Sequence, residues 1–262
     1  MTWQSQNNAA EYRAYAAAFQ DKSVVEAYSY RPNYPAATFD ILTQLIVGQP
    51  ATVLDLGCGS GDIARQLAPR VERVDAVDFS LHMLEQGKQL PNGDHPHLHW
   101  LHGRIEDVQL QPPYALVTAG ESMHWMDWDI VMPLLNEMLV DGAYLAMIER
   151  RIQPVIWHLL GDVVSRYRTD TYDPQQHNHQ EQSLFQKIGE STTEPFTLVQ
   201  PLDEVIESYH SRAGFSRERM GATQAAAFDR EAKIALLTSY PDGIVPFQIC
   251  AQVVWGIPKK KA

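Results

Sequence analysis

The spacing of apolar residues changes period several times along the chain, and each change marks an element. From about 36 to 47 apolar positions recur every three to four residues, which predicts an amphipathic helix ended by Gly48 and Pro50. ATVLDL, residues 51 to 56, is a short apolar run that enters a glycine cluster, and IARQLAPRV after it returns to helical spacing. The alternation continues with VERVDAVDFS as strand, LHMLEQGKQL as helix, HLHWLHG as strand and YALVTAG as strand. IVMPLLNEMLV then reads as a helix, Gly142 as a turn and AYLAMIER as a fifth strand. Strands alternating with helices imply a parallel sheet covered on both faces, and right-handed crossovers make it doubly wound.

After Arg151 the pattern loosens into polar segments such as TDTYDPQQHNHQEQ. Helices are expected around 154–168, 203–213 and 222–239, and late strands at 196–200 and 246–256. The expected fold is α/β: a Rossmann-like, mostly parallel, seven-stranded sheet with an antiparallel last strand and a helical lid. One domain over 1–262 is expected, with an N-terminal helical cap at 1–47, a core at 50–150, and a lid insertion with the last strands at 151–262. The best lid candidates are 1–47 and about 151–195.

The sharpest motif is Asp55-Leu56-Gly57-Cys58-Gly59-Ser60-Gly61, an acid at the tip of an apolar strand followed by alternate glycines. Glycines allow a sharp turn and let a ligand approach without a Cβ in the way. A helix expected to start at about Asp62 would present N–H groups there. A dinucleotide loop usually runs G-x-G-x-x-G, with a helix N-terminus aimed at a pyrophosphate. Here the spacing is G-x-G-x-G, with Asp55 before it and Asp62 after it. Two carboxylates suit a ligand carrying an ammonium and a sulfonium better than a diphosphate, which favours S-adenosylmethionine (SAM) over a nicotinamide dinucleotide. Asp78 closes the second strand, where a neighbouring loop can offer a carboxylate to ribose hydroxyls, and Glu106 with Asp107 follows the third.

Composition narrows the partners. With 262 residues, 45% of them hydrophobic, the chain can bury one substantial core. The start has no signal-peptide pattern and no stretch is long and apolar enough for a membrane span, so a soluble, cytoplasmic protein is expected. Cys58 and Cys250 lie far apart, consistent with a reducing compartment. A net charge of -11 argues against nucleic acid, since the one dense basic cluster, Lys259 to Lys261, reads as a solvated tail. A small-molecule substrate, no membrane, and a monomer or homodimer are expected. His95, His97 and His99 alternate, but Pro96 interrupts them and no acid or cysteine completes a set, and His177 and His179 sit in a polar loop, so no metal is expected.

VLDLGCGSGDIARQL, VDAVDFS, HGRIEDV and YALVTAGESMHWMDW together resemble the class I SAM-dependent methyltransferases, specifically the small-molecule type 11 branch, over roughly residues 50 to 150. The resemblance implies that Asp55, Gly57, Cys58, Gly59 and Gly61 cradle the methionine end. It also implies that Asp78, with Phe79, binds the ribose and that Ile105 with Glu106 flanks the adenine. Tyr114-Ala115 departs from the Phe-Asp often found at that strand start. Gln111-Pro112-Pro113-Tyr114 is similar to the Asn-Pro-Pro-Tyr motif of amino-group methyltransferases, yet it precedes the fourth strand instead of following it, and so reads as a loop.

Methyl transfer from a sulfonium mainly needs alignment and a dry pocket, and aromatic faces help to hold the cation. The segment Glu121 to Trp128 follows the fourth strand, where cofactor and acceptor should meet. There His124 is the candidate base, Glu121 could orient it or an amine, and Trp125 shapes the pocket. Arg31 could pair with the methionine carboxylate, Tyr28 or Tyr34 could wall the methyl site, and Arg212 is an acceptor-side candidate. Two other readings stay open: a protein of this fold without methylating activity, and a nicotinamide-dependent oxidoreductase.

Overall fold

The computed structural model describes residues 16–170 and 181–260. In chain order the main elements are α1 (Lys22–Tyr28), α2 (Ala36–Gln44), β1 (Thr52–Leu56), α3 (Ala64–Leu67), β2 (Arg73–Asp78), α4 (Leu81–Gln89), β3 (Leu98–His102), β4 (Leu116–Gly120) and α5 (Trp128–Met138). They continue with β5 (Leu145–Gln153), α6 (Trp157–Tyr167), β6 (Phe185–Thr192), β7 (Phe196–Pro201), α7 (Leu202–Tyr209), α8 (Arg217–Met220), α9 (Ala222–Ser239) and β8 (Ile244–Pro258). Two compact units divide these elements. One holds Tyr34–Arg150, Asp173–Glu194 and Cys250–Ala262; the other holds Met1–Asn33, Arg151–Tyr172 and Pro195–Ile249, each as far as its residues are described.

The strands run in the order β3-β2-β1-β4-β5-β8-β6, with β7 also paired to β8. Pairing is parallel from β3 through β5, while β6 and β7 are antiparallel to β8. This is the doubly wound, Rossmann-like sheet that the alternating pattern predicts. The strand order reverses between β1 and β4, and in such sheets ligands settle in the crevice outside the carboxyl ends at that reversal.

β1 is buried along its whole length, as a central parallel strand covered on both faces should be. Its side chains alternate between two cores. Val53 joins Leu42, Ile63, Leu67, Val74, Leu116 and Ile148, whereas Leu54 and Leu56 join Val77, Val117, Val131, Met132 and Leu135. Ser80 caps α4 by accepting the Met83 N–H at 3.3 Å, and Asp127 caps α5 by accepting the Asp129 N–H at 3.1 Å.

Two sequence expectations change. Among the described residues there are eight strands and not seven, because β6 lies inside the stretch expected as lid. FQKIGEST alternates half-buried with exposed residues and offers no apolar run to read; its pairing with Gln252 to Pro258 makes it a strand. The helix expected from about Asp62 begins at Ala64 and spans only four residues. The second unit has its own core, in which α6, α7 and α9 pack Leu160, Val205, Ile206, Phe228 and Ala232 with Val245 and Phe247 of β8. No helix among the described residues is long and apolar enough to cross a membrane.

Phe228 is fully buried in that core, its ring centroid 5.1 Å from that of Phe215 and 6.0 Å from that of Tyr209. Phe228→Ala should cost about 3–5 kcal/mol, read as a lower urea midpoint with an unchanged slope.

Candidate functional site

The first unit places the glycine loop at the carboxyl tip of β1, beside the tip of β4. Gly57, Gly59 and Gly61 have φ of 60°, 55° and 79°, a left-handed conformation that side chains other than glycine's adopt at a cost. Space enforces the same choice. A Cβ on Gly57 would come within 2.7 Å of the Ser122 Cβ, and one on Gly61 within 2.4 Å of the Trp100 ring. The loop is therefore pressed between the segment after β4 and an indole on β3, and the Ser122 hydroxyl ties the two tips by donating to the Leu56 carbonyl at 2.6 Å.

The loop's own N–H groups are largely spoken for. Gly59 donates to Asp78 Oδ2 at 2.8 Å, Gly61 to the Cys58 carbonyl at 2.8 Å, and Cys58 to the Val77 carbonyl at 3.0 Å. Ala64, the first residue of α3, donates to Asp55 Oδ2 at 3.1 Å. Asp55 thus serves a different role from an open ligand contact. It sits 1% exposed beneath the loop and also accepts from the Thr118 hydroxyl at 2.8 Å, the residue opposite it on β4. Asp78 is buried as well, with Oδ1 accepting the Ser80 N–H at 2.8 Å.

Burial raises both carboxyls. Loss of water pushes Asp55 up to about 7 against the pull of Thr118 and Ala64, with the Asp62 and Asp78 charges adding to the rise. Asp78 is raised by the same loss of water, opposed by the N–H groups of Ser80 and Gly59. The Cys58 thiol is pushed up by burial and by Asp78 and Asp55, so it lines the loop as a neutral group. Phe79 is half-buried after Asp78; Ile105 is buried after β3, while Glu106 beside it is exposed.

At the tip of β4, Glu121 has a positive φ of 52° and its side chain is held by Arg150 of β5. His124 and Trp125 form a short turn with ring centroids 4.5 Å apart, both half-buried. Tyr34 is buried in the same unit, its hydroxyl 2.8 Å from where a Cβ on Gly120 would stand. Asp62 is bound by Arg65 at 3.2 Å and by the Ser60 hydroxyl at 3.2 Å.

The second unit carries the remaining candidates. Arg31 donates to the Ser211 hydroxyl at 2.7 Å and to its carbonyl at 2.8 Å, with its guanidinium 4.2 Å from the Tyr28 ring centroid. Arg212 lies over the Tyr209 ring at 4.5 Å and donates to the Ser208 carbonyl at 3.1 Å. Tyr209 and His210 are built into the core of this unit, His210 with its ring nitrogens 2.7 Å from the Phe215 carbonyl and 2.7 Å from Asp229.

The histidines weighed as metal ligands have other neighbours: His97 Nδ1 faces the Val71 carbonyl at 2.7 Å and His99 Nδ1 faces Asp75 at 3.1 Å. His177 and His179 lie outside the described residues. Among the described residues no group of three or more His, Cys, Asp or Glu could hold a metal. Sequence reasoning missed Arg65, Trp100, Thr118, Ser122 and Arg150. Only Arg65, three residues after Asp62 in a stretch of helical spacing, carried a local signal.

Asp55 gives a pH test. An acid whose folded pKa exceeds its unfolded value of about 4 binds more protons when folded, so its contribution to stability falls as pH rises from about 4 to about 7. Thermal melts should show wild type losing stability relative to Asp55→Asn across that window, with the gap constant above it.

A family profile described as a methyltransferase domain matches residues 53–140, the stretch from β1 through α5. The chain is 35% identical to a malonyl-(acyl-carrier protein) O-methyltransferase of Anoxybacillus flavithermus over 32% of this chain and 33% of that one. It is 32% identical to a trans-aconitate 2-methyltransferase of Azoarcus sp. over 42% of this chain and 44% of that one. The match thus spans less than half the length of either relative. The solved structure of a proposed type II methyltransferase from Anaeromyxobacter dehalogenans shares the fold with a TM-score of 0.64 at 23% identity, covering 87% of this chain and 99% of that one. With an acid-flanked glycine loop at the reversal of a doubly wound sheet, residues 53–140 are similar to a methyltransferase domain, and the chain shares its fold with a solved methyltransferase-like structure.

Proposed function

We propose that this chain binds SAM at the glycine loop and transfers its methyl group to an O, N or C atom of a small-molecule acceptor, oxygen being favoured. The observation that carries this reading is the chemistry of the loop. Its Cβ-free backbone admits a close ligand, its N–H groups are largely consumed by Asp78 and neighbouring carbonyls, and two buried carboxyls stand beside it. A diphosphate needs open N–H donors and no adjacent acids. A ligand with an ammonium and a sulfonium needs the opposite, and its positive charge would draw Asp55 and Asp78 back toward their ionised forms.

When bound, SAM supplies a methyl group already activated by positive sulfur. Gly57, Cys58, Gly59 and Gly61 then cradle the methionine end, with Asp55 supporting them from below. Asp78 and Phe79 take the ribose, and Ile105 and Glu106 border the adenine. Tyr34 and Trp125 shape the acceptor side, where His124 accepts a proton when the acceptor is a hydroxyl. Oxygen is favoured because a relative similar over 88 residues is named an O-methyltransferase.

Calorimetry should show wild type binding S-adenosylhomocysteine, and Asp78→Ala binding it about 10- to 100-fold more weakly, the worth of hydrogen bonds to a charged group. A metabolite extract incubated with methyl-labelled SAM should yield a labelled small molecule. Binding without any labelled product would leave a ligand-binding protein of this fold, and no binding together with enhanced NADH fluorescence would revive the oxidoreductase.

A further inference from the structure

Arg150 is the most deeply buried cation bordering the candidate site, its side chain 4% exposed. The parallel register sets Gly120 of β4 beside Ile148 of β5, and the Glu121 N–H extends the ladder by donating to the Ile148 carbonyl at 3.0 Å. That leaves Glu121 at the strand tip within reach of the Arg150 side chain. The guanidinium meets the carboxylate as a fork, Nε to Oε1 at 3.1 Å and Nη2 to Oε2 at 2.7 Å, and the Arg150 backbone N–H adds a third donor to Oε1 at 3.0 Å. A glutamate with φ of 52° is costly, and three donors on one carboxylate hold it there.

The same guanidinium reaches two further segments. Its Nη1 lies 3.8 Å from Asp62 Oδ2, at the exit of the glycine loop, and its face covers the Tyr34 ring at 4.7 Å. Arg150 therefore joins the loop after β1, the tip of β4 and the segment before α2, all on the carboxyl edge at the strand reversal. Its charge also offsets two carboxylates, Glu121 and Asp62, that would otherwise repel each other across the crevice. A lysine offers a single point charge and cannot make the fork.

We infer that Arg150 is a positioning residue for the cofactor, and that it removes Glu121 from acid–base work by holding its carboxylate as an ion pair. This rests on the reading of the glycine loop as a SAM site. The arrangement leaves His124 as the proton-accepting side chain of the turn after β4, with Glu121 fixing the backbone from which that turn starts.

Calorimetry with S-adenosylhomocysteine, thermal melting, and steady-state rates against SAM test the inference on wild type, Arg150→Met, Arg150→Lys and Glu121→Gln. Both Arg150 variants should bind S-adenosylhomocysteine at least about 10-fold more weakly per folded molecule and lose up to about 10²-fold in kcat/KM, as misalignment does. Arg150→Lys covers the case in which the Met variant fails to fold. Glu121→Gln should lower kcat without moving its pH profile, and should add little to Arg150→Lys because the two sites act as one. Arg150 variants that melt lower yet bind within twofold of wild type would reduce Arg150 to a structural brace and overturn the inference, as would a shifted pH profile in Glu121→Gln. Wild type that fails to bind would instead sink the reading of the loop itself.

Discussion

The site depends on a carboxyl group kept out of water. Asp55 lies under the glycine loop with one oxygen on the Thr118 hydroxyl and the other on the Ala64 N–H, so a single side chain ties β1, β4 and the start of α3. Those are the two strands at which the sheet order reverses and the helix that leads away from the loop. A buried carboxyl in this place is costly when ionised, and two hydrogen bonds only partly offset the loss of water. The cost is tolerated where it arranges a backbone, and here it arranges the three left-handed glycines above it.

Around this anchor the carboxyl edge is charge-balanced. Asp62 is shared between Arg65 and Arg150, and Glu121 is forked by Arg150. Asp55 and Asp78, by contrast, are satisfied by hydroxyl and backbone donors and face no arginine in the bonds described for them. Carboxyl groups without an arginine partner are thus concentrated under the loop, while the rim around β4 and β5 is neutralised by cations. That division suits a ligand whose positive end lies against the glycines.

Much of this was legible before any coordinates. β1 through β5 followed from apolar runs alternating with helical spacing, and α9 spans 222–239 as its periodicity predicts. The helix after the glycine loop and the strand β6 were misjudged for opposite reasons. The sequence IARQL has helical spacing, but the tight loop occupies the residues that would have formed its first turn. FQKIGEST has no apolar run, and pairing with β8 determines its state. Beside Arg212, a candidate by sequence, Tyr209 and His210 are buried by the second unit among Phe215 and Phe228, which no local spacing announces.

By itself the sequence determined the order of elements along the chain and the acid-tipped glycine loop, because each is written in residues that are neighbours along the chain. Only the tertiary structure decided that Asp55 would find Thr118, that Trp100 would press on Gly61, and that Arg150 would take the carboxylate of Glu121. These partners lie on different strands, and the parallel register that brings them together is set by the packing of two cores, which no local spacing encodes.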